Sequence, residues 1–509
     1  MKTRFLLLFA AMLITIGGRA VELSPNQSPA FKVLAEVLQH YSADTDSLKR
    51  AAARFLVDNM EGHGYITYDL VDSAGQVISF SIFDYADYDQ LTASFDSLED
   101  RYGVLDFRKR EMIADDSVIT ANFLIEHIDD AFTAWNKRAW ASWLTFDQVC
   151  EFVLPYRGSN EPLEQWRLHF NQRYDSSFQH MTDPRDPVEA ASIINQDLMT
   201  WFRFDPRYYY HPTDQGLSEM ESTHLGRCED MTNLTIYAMR ANGLAVTSDY
   251  TPYWANSGNN HAWNAILTFD GKVIPFMGAE ANPGGYRLAN KLAKVYRKTY
   301  SIQRNNLAFQ ADDSQQLPGY LASKCYIDVT RDYVPTRTLT LPVEVPDSMA
   351  IAYLCVFNSG EWQPIQWGTI TGDSVRFVDM GIDIAYLPGI YVERKIIPVG
   401  PPFILEVDGS IEPLTADTNR RTTLRLTSTT ATKQESSTDG IIKTNLAAGT
   451  RYELHYWDND WQIAAQAVAA GEPLIFTAIP AHCLYWLTAE NSDHEERIFT
   501  FANERQVWW

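Results

Sequence analysis

Gly226-Arg227-Cys228-Glu229-Asp230-Met231 opens a stretch that continues through Asn242-Gly243 and Asn260-His261-Ala262-Trp263-Asn264 and closes with Phe276-Met277-Gly278-Ala279-Glu280. Within residues 228–242, Met231, Leu234, Tyr237, Ala238 and Ala241 recur at helical spacing with Gly243 as terminator, which predicts one amphipathic helix. Cys228 then lies in its first turn. There the helix dipole and the free backbone N–H groups favour a thiolate and can hold an oxyanion. Gly226 leaves the backbone free to approach another group closely. A lone cysteine is more often a small buried core residue, so the case for chemistry rests on what stands near it.

His261 begins the run His-Ala-Trp-Asn-Ala-Ile-Leu-Thr-Phe, which reads as a strand. Asp270-Gly271 is a two-residue hairpin signal, and residues 272–277 read as the returning strand. That turn sets Phe269 against Lys272 and His261 against Glu280. Directly opposed Cβ atoms lie roughly 5 Å apart, close enough for a carboxylate to orient an imidazole. Asp270, at the turn, lies roughly 30 Å along the strand from His261. On this register Glu280 is the orienting acid, and Pro275 is the point where a bulge would shift it. Cysteine, histidine and acid in this order form a thiol-nucleophile arrangement.

These residues resemble the transglutaminase-like branch of the papain-like superfamily, above all the exported transglutaminase-like proteins of Bacteroidota-type bacteria. The resemblance rests on Gly226-Arg227-Cys228, on His261-Ala262-Trp263 and on the acid of the next strand, and covers about residues 186–290. In the family an aspartate follows an aromatic, as in Phe-Asp-Pro; here Met277 follows Phe276, so either Glu280 substitutes or the triad is incomplete. The resemblance implies attack of the Cys228 thiolate on an amide or acyl carbon, with His261 as base and then acid and Glu280 fixing the imidazole. It leans toward hydrolysis of peptide or related amides, without deciding whether water or an amine takes the acyl group. Trp254 and Trp201 are candidates to wall the cleft or donate to the oxyanion, and Trp263 accompanies them as a substrate-binding candidate. No metal and no cofactor are called for: His224 precedes Cys228 without a second ligand cluster. A catalytically inactive core serving as a protein- or glycan-binding surface is the alternative.

Outward from this stretch, Asp186-Pro187 starts another helix. Residues 31–60 and 116–153 show helical periodicity, with short β-like runs at 65–84. Leu154-Pro155-Tyr156-Arg157-Gly158, Glu161 and Trp166-Arg167 resemble the same bacterial proteins more weakly. Arg157 there reads either as a carboxylate-binding residue or as part of an internal Arg–Glu brace.

After Pro335 short alternating segments with frequent Gly, Pro, Thr and Asp predict antiparallel β-structure. Tyr353, Trp362-Gln363, Gly372, Phe377 and Tyr386 recur at the same spacing as Tyr452, Trp461-Gln462, Gly471, Phe476 and Tyr485, which predicts two β-sandwich modules. Cys355 and Cys483 each occupy a position that is aliphatic in the other module, so both are expected in cores and not in a disulfide with each other. Aromatic-rich modules of this kind are candidates for glycan contact.

The whole is an α+β chain. Residues 1–20 read as a signal peptide, with Lys2 and Arg4 before the apolar run 5–16 and small residues ahead of Ala20. A mostly helical region spans 21–185, the papain/transglutaminase-like core 186–320, and all-β modules 321–418 and 419–509. Export to the periplasm or cell surface is the expected location, with a peptide or protein amide as substrate and no transmembrane anchor. The 509 residues are too many for one core. A net charge of −23 argues against nucleic acid and anionic membrane surfaces as partners. Five cysteines without a CxxC spacing point to neither a zinc site nor a disulfide framework.

Overall fold

The computed structural model describes residues 29–211, 213–312, 316–346, 349–431, 444–490 and 496–509; the predicted signal peptide lies outside the described residues. Helices Pro29–His40, Ser47–Asn59 and Ala121–Lys137 enclose Leu34, Val37, Leu56, Leu124 and Ile128. Among the described residues no helix is long and apolar enough to cross a membrane. The N-terminal part also holds an antiparallel ribbon, Gly64–Val71 on Asp106–Ala114, covered by helix Tyr88–Tyr102. Residues 106–114 are charged and largely exposed, so they carry no apolar alternation from which a strand could be read.

Helix Cys228–Ala241 is the axis of the core. The helix Pro187–Trp201 packs on it, its start capped by the Asp186 side chain, which accepts from Val188 N at 2.8 Å. So does helix Arg167–Tyr174, where Trp166 stacks on Tyr237 at 5.1 Å. The third side is a five-stranded antiparallel sheet in the order Val273–Phe276, His261–Leu267, Val246–Thr251, Tyr296–Lys298, Tyr326–Asp328. Enclosed on every side, the helix is buried from Asp230 to Ala241, including Asn233, Thr235 and Arg240. It is a core helix and not the one-sided amphipathic helix expected, because neighbours cover the polar face as well. Gly243, at φ 72°, ends it.

The hairpin register differs from the sequence expectation by one residue. Leu267 pairs with Val273, Ala265 with Pro275 and Asn264 with Phe276. The loop holds three residues, 269–271: Thr268 N donates to Lys272 O, Gly271 N donates to Thr268 O, and Gly271 takes φ 77°. Thr268 Oγ1 also donates to Asp270 at 2.6 Å, which fixes the turn. This is a turn followed by a left-handed glycine, the usual three-residue hairpin. Pro275 causes no bulge, because Val273–Phe276 is an edge strand where a missing N–H costs no ladder bond.

The C-terminal third is antiparallel sheet. Strand Ile351–Asn358 pairs with Glu361–Thr371 and Ile384–Val392, and strand Arg451–Trp457 pairs with Trp461–Val468 and Tyr485–Ala489. Cys355 and Cys483 are buried free thiols in separate hydrophobic clusters. Trp509 is buried, its indole donating to Thr500 Oγ1 at 3.0 Å, so the last strand uses it for packing.

Candidate active site

The sequence Gly226-Arg227-Cys228 brings the chain into the helix in extended conformation, with Arg227 at φ −85° and ψ −179°. The Asp230 carboxylate folds back over this turn and accepts from Arg227 N at 2.8 Å and Gln215 N at 3.2 Å. Any Cβ on Gly226 would collide with Asp230, which is why glycine is required there. Cys228 is the first helical residue and is only 5% exposed. Burial and the adjacent Glu229 charge push its thiol up to about 12, against the Arg227 guanidinium and a backbone N–H from Ala262. That amide belongs to the residue after His261, so the helix start meets the strand start. Arg227 is itself held by a buried ion pair with Asp214.

His261 begins its strand opposite Thr251 and is half-buried. Its Nε2 lies 2.6 Å from the Tyr286 hydroxyl. The ring stacks on Trp254 at 5.8 Å and lies 5.9 Å from Trp263. Burial lowers the imidazole to about 4, opposed by the negative charge of Glu229. The resting state favoured by both shifts is therefore a neutral thiol and a neutral imidazole.

Glu280 does not oppose His261. The strand ends at Phe276, and Met277–Ala281 closes a tight turn in which Ala281 N and Glu280 N donate to Met277 O. Asn195 clasps this turn, accepting from Ala279 N at 2.7 Å and donating to Met277 O at 3.3 Å. Glu280 is left exposed, while Met277 is buried where the resemblance has an acid. A carboxylate does act on His261, and it is Glu229, which pairs with Lys298 at 3.3 Å. Burial would raise the Glu229 carboxyl, but Lys298 and Arg227 outweigh it and hold it low. Neither Glu229 nor Tyr286 was singled out from the sequence. The adjacency of Glu229 to Cys228 was the available signal; Tyr286 follows an irregular loop and gave none.

The other candidates separate. Trp254 is buried against His261, and its loop is pinned from the C-terminal sheets: the buried Asn358 amide donates to the carbonyls of Trp254 (3.0 Å), Ser257 (2.8 Å) and Asn259 (2.9 Å), and Arg497 donates to Ala255 O at 2.8 Å. Trp263 is fully buried, its indole donating to Tyr333 OH at 3.0 Å; Tyr333 donates to Asp249, which forms an ion pair with Arg297 at 2.7 Å. Trp263 thus supports the strand from beneath. Trp201 lies instead against Arg173 and His224, with its indole on Asp197. Arg157 is a brace, but on Asp115: Nε donates to it at 2.7 Å and Nη2 completes a bidentate pair, while Nη1 takes the Glu161 carbonyl. The Glu161 carboxylate accepts from Gly158 N and Ser159 N, so Arg157 has no free fork for a substrate.

Among curated proteins, none matches the chain. Residues 176–276 match the family model of the transglutaminase-like superfamily, and over that stretch, which holds Cys228 and His261 and ends just before Met277, the chain carries a domain similar to that family's papain-like core of cysteine hydrolases and transferases.

Proposed function

We propose that the protein is an exported, thiol-dependent amide hydrolase or acyl transferase acting on peptide or protein amides. The observation that carries this reading is the meeting of the Cys228 helix start with the His261 strand, where the Ala262 amide reaches the thiol. With Nε2 engaged by Tyr286, Nδ1 is the nitrogen left to take the thiol proton. As sulfur attacks the carbonyl carbon, the proton passes from Sγ to the imidazole, and Glu229 stabilises the imidazolium that forms. The carbonyl oxygen gains charge at the helix N-terminus, where first-turn N–H groups and the Trp254 indole are the available donors. The imidazolium then protonates the leaving amine, giving an acyl-enzyme that water or a second amine resolves. Tyr286 fills the positioning role that the sequence assigned to Glu280.

The test is iodoacetamide labelling at neutral pH together with amine release from peptide amides. The expectation is preferential labelling of Cys228 over the other four buried cysteines, with His261→Ala suppressing both labelling and turnover. Slow Cys228 labelling that His261→Ala leaves unchanged would sink the reading. A binding protein on the same fold is the second reading. Met277 and the absence of a carboxylate hydrogen-bonded to His261 among the described residues favour it.

A further inference from the structure

Beside Glu229 the fold encloses a cavity of about 110 Å³, several times what one water requires. Its wall includes Ser159, Glu229, Arg240, Tyr250, Lys298 and Tyr320. Three cationic side chains face it, and two are neutralised. Arg157 is matched by Asp115, and Lys298 by Glu229 at 3.3 Å, with Lys298 Nζ also donating to Ser159 Oγ at 2.6 Å.

Arg240 is the third. It is only 4% exposed, yet among the described residues no carboxylate lies within ion-pair distance of it. Its Nε donates to the carbonyls of Phe152 (3.0 Å) and Val246 (3.1 Å), and its Nη1 to those of Pro155 (3.3 Å) and Arg157 (2.7 Å). Among the described residues Nη2 has no hydrogen-bond partner, and the atom is not fully sealed from the cavity. Glu151 and Glu161 act on Arg240 only from a distance, since each carboxylate is taken up by backbone N–H groups. A buried guanidinium with one nitrogen open, and with its balancing carboxylates Glu151 and Glu161 held beyond ion-pair distance, leaves an unfilled charged donor on the cavity wall.

We propose that this cavity seats a carboxylate of the substrate, received by Arg240 Nη2 and Lys298 Nζ. Carboxylates suit a guanidinium edge, which donates to them in charge-assisted bonds. Cys228 is not in the wall, but the seat reaches toward it: Glu229 follows Cys228 in the chain, and the Tyr320 hydroxyl accepts from Asn260, the residue before His261, at 2.7 Å. On the function proposed above, which this substrate class rests on, the preferred substrate is a short peptide or amino-acid conjugate with a free carboxylate near the scissile amide, and not an amidated or internal segment.

The test uses full-length Cys228→Ala protein, so that binding is read without thiol chemistry. Calorimetry compares acetyl-dialanine bearing a free carboxylate with its C-terminal amide. The acid is expected to bind roughly tenfold tighter or better, the scale of one charge-assisted hydrogen bond, and Lys298→Met and Arg240→Gln each to remove most of that preference. Lys298→Met carries the test if Arg240→Gln fails to fold, because it replaces a side chain at the cavity rather than the carbonyl-bound guanidinium. Equal binding of acid and amide, no saturable binding of the acid, or a preference untouched by Lys298→Met overturns the proposal. Failure of the thiol reading instead appears as unreactive Cys228 in the wild-type protein, so the two are separable.

Discussion

Replacing Tyr286 with Phe, beside Glu280→Gln as its companion, separates two accounts of what positions His261. The Tyr286 hydroxyl lies 2.6 Å from His261 Nε2 at a half-buried site, so Tyr286→Phe removes one hydrogen bond and leaves a ring nitrogen poorly hydrated. Such a loss is worth about 1–1.5 kcal/mol. If the bond holds the imidazole in its working orientation, that energy corresponds to a roughly tenfold fall in the rate of any step needing Nδ1 at the thiol. Glu280 is exposed on the Met277–Ala281 turn and acts on Tyr286 only through space, so Glu280→Gln is expected to change the rate by less than about twofold. The assay is the pseudo-first-order alkylation rate of Cys228 by iodoacetamide, followed by peptide mass mapping, with amide turnover measured in parallel. Unchanged melting temperatures exclude a folding effect. A tenfold loss in Glu280→Gln with none in Tyr286→Phe would refute the reasoning and restore the opposed-strand acid.

Because burial lowers His261 to about 4, the imidazole stays neutral from pH 5 to 8, and the acid limb of Cys228 alkylation is expected near pH 4 and not near the ordinary 6.5. The same depression means that, as pH falls from 6.5 toward 4, the unfolded chain takes up a proton that the folded site refuses; stability is lost over that window, and urea titrations should show less of this loss in His261→Ala. Asn358→Ala withdraws the two amide hydrogens shared by three loop carbonyls, that of Trp254 buried, and should cost about 2 kcal/mol in urea denaturation, with slower alkylation of Cys228 as the Trp254 loop loosens. Asp249→Ala strands the buried Arg297 and the Tyr333 hydroxyl beneath the His261 strand, and should destabilise by about 3–5 kcal/mol.

What the sequence disclosed about this fold follows the range of the interactions involved. The Cys228 helix was readable because glycine, periodicity and terminator all lie within one segment, and the helix Pro187–Trp201 announced itself through Asp186-Pro187. The hairpin was readable but its register was not. Asp270-Gly271 is a turn signal for two loop lengths, and the Thr268–Asp270 bond selects the longer. Phe269, 76% exposed, belongs to the loop for that reason. The Arg157–Asp115 pair joins residues with no local relation, so only the half of it at Arg157 could be suspected. Tyr286 reaches His261 from an irregular segment with no period to read. The burial of the whole central helix could not be inferred from its own residues, since its polar positions are satisfied or covered by distant neighbours.

The Asn358 clamp also orders events in time. The loop carrying Trp254 is synthesised well before residue 358, and before Arg497, whose guanidinium holds Ala255 O. The carbonyls of Trp254, Ser257 and Asn259 therefore lack this partner until residue 358 has emerged, and that of Ala255 until residue 497 has. The wall beside His261 is completed last, so a nascent or truncated polypeptide presents Cys228 and His261 without the finished cleft between them.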